Sequence, residues 1–235
     1  MHHTYTNIDG TDPDLEGGRP WLRLAPSQAR RPWHRYQRFY VWALYALFPL
    51  KWFFVDDFRD LAVQRVGGPA LLVTLLGKAL FIGWAFVLPA LLHPSAALFA
   101  CWAIALVTLG NVLAAVFQLA HCVGDAEVVQ PGEVDGGWAE HQIATTVDVA
   151  PRNPLLSWYL GGLNFQVEHH LFSRVCHVHY RALARIVEDT CLEHGLRYRC
   201  QPTLGSALSA NWRWLRQMGA APAADRQRLS PARSS

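Results

Sequence analysis

The chain has 235 residues and a formal charge of only +3, which argues against a protein held to nucleic acid by a basic surface. Half of it is apolar and aromatics are abundant, with 10 Trp and 11 Phe, enough for one domain of ordinary size. The five cysteines are odd in number and lack CxxC spacing, so they read as free thiols of a reducing compartment rather than a disulfide framework.

Residues 1–18 are polar and turn-rich, punctuated by Gly10, Pro13, Gly17 and Gly18, so no signal peptide is expected from them. The aromatic stretch Tyr36 to Phe54 is interrupted by Pro49 and Lys51 and predicts a helix lying at a bilayer surface. Residues 66–120 then contain one lysine and no Arg, Asp or Glu, whereas both flanks are rich in Arg. Within them Leu76–Leu92 and Ala96–Phe117 are apolar runs near the ~20 residues that cross hydrocarbon, joined by the short link His93-Pro94-Ser95. This predicts a transmembrane helical hairpin. Arg59 and Arg65 before it, and further Arg after it, place both ends in the cytoplasm. Lys78 is expected near the cytoplasmic end of the first run, snorkelling to headgroups.

Asn153 and Pro154 read as a helix N-cap and first-turn proline, and Gly161-Gly162 as its end. A new helix is expected from near Asn164, another over 179–194 with Gly195 as its stop, and another over Leu204 to Met218. The stretch 220–235 has no core to join and is expected to be a disordered tail. No segment reads as a convincing strand. The expected fold is an all-α membrane protein: one domain over 1–219 with a transmembrane hairpin, an interfacial helix and a cytoplasmic helical cap.

The histidines are placed informatively. His2 and His3 precede the hairpin, His121 ends its second run, and Gln166-x-x-His169-His170 follows on a predicted helix. With both ends of the hairpin on one side, the three groups can converge. Positions i, i+3 and i+4 share a helix face, so Gln166, His169 and His170 project together. Neighbours on a helix diverge by about 100°, so His169 and His170 suit two adjacent metals, as do His2 and His3. Imidazole serves Zn, Cu, Fe and Ni, so ligand type leaves the metal open.

Specific motifs carry a family resemblance. MHHTYTNIDGTDPDLE resembles the second histidine box, HxxHH, of the membrane-bound histidine-box fatty acid desaturases. GGLNFQVEHHLF resembles their third box in the QxxHH form of front-end, linoleoyl-type enzymes. FQLAHC is similar to the segment bearing an extra histidine ligand, and WAEHQIATTVDVA to the stretch leading into box three. The similarity runs from Met1 to about Gly219. It implies two non-haem irons, with His2, His3, His121, His169 and His170 as ligands and Gln166 as a weak or water-mediated one. It implies O2-dependent removal of hydrogen from adjacent methylenes of an acyl-lipid or acyl-CoA, leaving a cis double bond. Trp138, Trp158, Tyr159 and Phe165 are candidate walls of an acyl tunnel. His141, His177, His179, Asn7 and Asp12 are candidates for orienting the ligands. Asp9 and Asp14 share the acidic turn, which lacks EF-hand spacing and does not suggest calcium. His34 and His93 read as structural. With no His-Pro-Gly-Gly haem signature, electrons are expected from a separate ferredoxin or cytochrome.

The sequence departs from the family pattern in lacking the first box, HxxxH, and the first histidine of box two, which Met1 displaces. That leaves too few histidines for the family's full set, so this polypeptide alone is expected to bind iron poorly and not to desaturate. Ser173 stands where the family has proline, with little expected consequence. The rival readings are a hydroxylase or ketolase of the same superfamily, and a non-catalytic membrane protein holding zinc or haem through its histidines.

Overall fold

The computed structural model describes residues 2–63, 67–133 and 136–220. Arg65 and the tail beyond Ala220, both singled out above, lie outside the described residues. The chain divides into two compact units, one of residues 42–114 and one combining 1–41 with 115–235.

The first unit is helical through Phe48–Lys51, a π turn at Trp52–Asp56, and Asp57–Val63. Pro49 sits in the first turn of its helix, where a missing N–H costs little. Two long apolar helices follow, Gly68–Leu92 and Ala96–His121. At 1.5 Å per residue each is about 37 Å long or more, enough to cross ~30 Å of hydrocarbon. Only 6% and 11% of their most apolar windows are buried, so neither is the core helix of a water-soluble domain. Leu80, Trp84 and Leu91 are more than 70% exposed, a surface that suits lipid and not water. Pro89 would clash with a carbonyl one turn back, and the helix accommodates it by widening into a π turn at Gly83–Val87. Ser95 Oγ caps the second helix at Leu98 N–H.

Two expectations are corrected here. The first apolar helix starts at Gly68, not Leu76, because Gly68 (φ +58°) and Pro69 form its opening turn. Lys78 therefore lies within the helix rather than near its end. Its ammonium pairs with Asp57 Oδ2 at 2.6 Å, donates to Phe53 O at 2.6 Å and sits 3.7 Å from the Phe53 ring centre. A carboxylate from the neighbouring helix, not a headgroup, satisfies its charge.

The longer helices lying wholly in the second unit include Trp138–Thr145, Pro154–Tyr159, Gln166–Leu171, Tyr180–Glu193 and Leu204–Gly219. The start at Asn153 is borne out: its side chain accepts from Leu156 N–H. Gly161, Gly162 and Gly195 take the positive φ that ends helices. Small apolar clusters join these helices, among them Ile143, Val167, Val187 and Cys191. The expectation of no strand is corrected by a minimal one. Asp148–Val149 pairs in parallel with Cys200–Gln201, too short for any periodicity to betray it. All five cysteines are free. His34 is buried, its ring bonded to Arg31 N–H and Pro20 O, and His93 is exposed at the interhelical link.

A Cβ on Gly110 would lie 2.3 Å from Tyr45 O and 2.9 Å from Ala46 Cα, whereas one on Gly77 meets nothing within 4 Å. Gly110→Val should therefore cost about 1–3 kcal/mol through overpacking, while Gly77→Ala should be neutral or slightly stabilising. Thermal melting in detergent, followed by circular dichroism, checks the contrast.

Candidate metal centre

The segment from His2 to Asp12 folds around one carboxylate. Asp12 has no solvent exposure. It accepts from Asn7 N–H at 2.7 Å and Asp14 N–H at 2.9 Å, the latter capping the short helix Pro13–Glu16. What remains of its acceptor capacity faces His2, whose Nδ1 is 3.0 Å from both carboxylate oxygens. Asn7 adopts a left-handed φ of 53°, and its side-chain amide donates to the carbonyls of His121 and Glu127, each at 3.0 Å. The turn thereby fastens His2 to the end of the Ala96–His121 helix.

At that helix end His121 Nδ1 lies 3.3 Å from Thr145 O, while its Nε2 is buried with no partner. From the third side comes His170 on the Gln166–Leu171 helix, its Nδ1 2.9 Å from Gln142 Oε1 and 3.1 Å from Thr6 Oγ. The three rings sit 4.8–5.1 Å apart by centroids. One ring nitrogen of each lies within 4.8 Å of those of the other two. An imidazole whose Nδ1–H donates outward has only Nε2 free to bind a metal. Each of the three has Nδ1 beside an oxygen acceptor, and the His121 Nε2, buried without a hydrogen-bond partner, is an acceptor that a cation would satisfy.

Electrostatics keep most of these imidazoles neutral, as ligation requires. Burial and the neighbouring His169 and His2 push His3 down to about 4. Burial, then His2, lowers His169, and burial with the surrounding rings drives His170 far down. His2 is the exception. Burial pulls it down, but the Asp12 hydrogen bond and the Asp12 and Asp14 charges outweigh that, leaving it raised.

The other expected residues are distributed unevenly. His3 stacks on His170 at 4.5 Å and meets His169 at 4.6 Å, so this part-buried pair adjoins the cluster of part-buried His2 with buried His121 and His170. His169 Nδ1 is 3.3 Å from Tyr180 OH. Gln166 is buried, and its NH2 is used on Leu163 O at 2.6 Å, leaving its carbonyl as the group it has to offer. His141 Nε2–H donates to Thr6 O at 2.8 Å, behind the site. His177 and His179 lie exposed on a single 3-10 turn, with no hydrogen bond to the clustered histidines. Of the proposed tunnel residues Phe165 is buried, Trp138 is half exposed with its indole N–H near His3 O, and Trp158 and Tyr159 are largely exposed.

Sequence reasoning missed Gln142 and Thr6. It also missed a second polar group behind box three. Asp148 Oδ1 accepts from Val167 N–H at 3.0 Å, near the start of the Gln166–Leu171 helix. Tyr198 OH is 2.6 Å from Asp148 Oδ2 and 3.1 Å from Glu168 Oε1. A phenol has one proton, so it serves both carboxyls only when one of them carries a proton of its own. Burial is the leading cause that pushes Asp148 up to about 6, and burial with the Asp148 charge pushes Glu168 up to about 9. The available signal was Glu168 itself, a charge flanked by residues that face inward.

The whole chain up to residue 202 matches the fatty acid desaturase family model. It is 39% identical to the sn-1 linoleoyl-lipid 6-desaturase of Synechocystis sp. and 36% identical to that of Arthrospira platensis, over 94% of its length in each case. It is 38% identical to the acyl-lipid (8-3)-desaturase of Physcomitrium patens over 93% of its length. The chain spans 65%, 63% and 48% of those three proteins. No solved structure matches it. The chain belongs to the fatty acid desaturase family, whose named relatives are lipid-modifying oxidoreductases.

The Asp148–Glu168 pair makes a pH prediction. Both folded-state values are raised, so the stability they confer is complete only below the ordinary carboxylate value of about 4 and declines as pH rises from there. It is lost as pH climbs through about 6, where Asp148 ionises, and on towards about 9, where Glu168 does. Melting temperature should fall over that interval, and Glu168→Gln should flatten the upper part of the fall. A melting temperature that rises over the same interval would contradict it.

Proposed function

We propose that the chain is the metal-binding part of a membrane acyl-lipid desaturase that places a cis double bond on the carboxyl side of an existing one. The observation that carries the reading is the convergence of His2, His121 and His170, each tied at Nδ1 and each with Nε2 left for a metal. His3 and His169 supply imidazoles for a second ion beside them, with Gln166 as a weak or water-mediated ligand through its carbonyl. Two irons, when bound there, supply the oxygen activation and hydrogen abstraction of the reaction. The chain's own residues bind and orient those ions and exclude bulk water from the buried rings. Asn7, Asp12 and His141 hold the box-two segment in place. His177 and His179 keep the remaining outer roles, with a contact to a bound partner suiting their exposure.

The apolar helices Gly68–Leu92 and Ala96–His121 form the membrane hairpin, the Arg-rich flanks put the site on the cytoplasmic side, and the aromatic segment 36–54 lies at the interface. Trp138, Trp158, Tyr159 and Phe165 contact the acyl chain. Exposed aromatics such as Trp158 suit lipid better than water. The names of the cyanobacterial relatives favour a linoleoyl glycerolipid over acyl-CoA as substrate. Electrons come from a separate ferredoxin or cytochrome.

Because the chain spans 65% of the Synechocystis enzyme, the assay completes it with the remainder of that enzyme. Expressed in a host whose membranes contain linoleoyl lipids, the fusion should yield a new double bond, located by mass spectrometry. His170→Ala in the same fusion should abolish it. A hydroxylated product would replace desaturation with hydroxylation, and unchanged lipids from a folded, iron-loaded fusion would overturn the reading.

A further inference from the structure

We infer that Gln142, together with Thr6, is the positioning pair that fixes the His170 ring in its metal-binding tautomer, an inference that rests on the metal reading above. Gln142 has no solvent exposure. Its Oε1 lies 2.9 Å from His170 Nδ1 and 2.8 Å from Thr6 Oγ. Its Nε2 is buried without a partner. A residue kept for packing alone would be apolar there, because an unpartnered buried amide costs free energy. The oxygen end of the amide must therefore supply something the fold uses.

What it supplies is an acceptor. With Oε1 facing the ring, His170 carries its proton on Nδ1 and presents Nε2 to His2 and His121. With the amide reversed, the NH2 would donate to Nδ1. The ring proton would then sit on Nε2, where it blocks a metal. Thr6 bears on the same end of the amide: its hydroxyl lies 2.8 Å from Gln142 Oε1 and from His2 O, and its single proton selects the oxygen end when it is given to Oε1. The preceding residue, His141, donates to Thr6 O at 2.8 Å. One turn of the Trp138–Thr145 helix thus grips the box-two backbone with His141 and the box-three ring with Gln142. The two histidine boxes, far apart in sequence, are registered to each other through it.

The test uses the full chain in detergent micelles, labelled with 15N-histidine, with His170→Ala to assign the His170 signals. Two variants are compared: Gln142→Met keeps length and volume without a good acceptor, and Gln142→Glu keeps the acceptor. Nitrogen shifts of the metal-free protein report the tautomer, and cobalt(II) titration by visible absorption reports affinity. The wild type and Gln142→Glu should show Nδ1–H at His170. Gln142→Met should lose that tautomer and bind cobalt 10–100-fold more weakly, with unchanged helicity. An unchanged tautomer and affinity in Gln142→Met would overturn the inference. So would equal losses in both variants, which would mean shape matters and the acceptor does not. A wild type with the Nδ1–H tautomer that binds no cobalt would sink the metal reading while leaving the ring assignment standing.

Discussion

An imidazole has two nitrogens, and the centre depends on how the fold disposes of the outer one. At His2 it goes to a buried carboxylate, at His121 to a backbone carbonyl, and at His170 to a buried amide. Each bond turns a ring that can face two ways into one that faces inward. The three outer partners come from the acidic turn after His2 and from the Trp138–Thr145 helix. That explains why elements with no ligands of their own are held so firmly. Asn7 ties the turn to the end of the apolar helix, and Arg199 reaches back to Ile143 O.

Polarity is arranged accordingly. In the unit that holds the site, amides, carboxyls and rings are buried and bonded to one another, including Gln142, Asp148 and Glu168 with no solvent exposure. In the other unit the long helices show leucine, phenylalanine and tryptophan outward. Lys78 is a charge within the first of these helices, and Asp57 neutralises it. Most of the buried polar groups are bonded to one another, with His121 Nε2 and Gln142 Nε2 among the exceptions, and the apolar exterior of the long helices suits lipid.

Much of this was legible in the residues. The Gln-x-x-His-His spacing on a helix gave the shared face, the apolar runs gave the two long helices, and Asn153-Pro154 and Gly195 marked helix ends that the structure keeps. What escaped was long-range. Gln142 and Thr6 are ordinary residues whose meaning comes only from being 136 positions apart and 2.8 Å together. The partner of Lys78 and the two-residue strand pair likewise depend on tertiary contact, which leaves no period to read. The early start of the first apolar helix, at Gly68-Pro69, lay upstream of the run read from Leu76.

The account turns on imidazole nitrogen converging on a bound ion. X-ray absorption on the purified full chain loaded with zinc(II), a redox-inert probe of the same donors, addresses that directly. The predicted spectrum has nitrogen scatterers at about 2.0–2.1 Å with the outer-shell pattern of several imidazole rings. A shell of oxygen alone, or of thiolate sulfur, would contradict it.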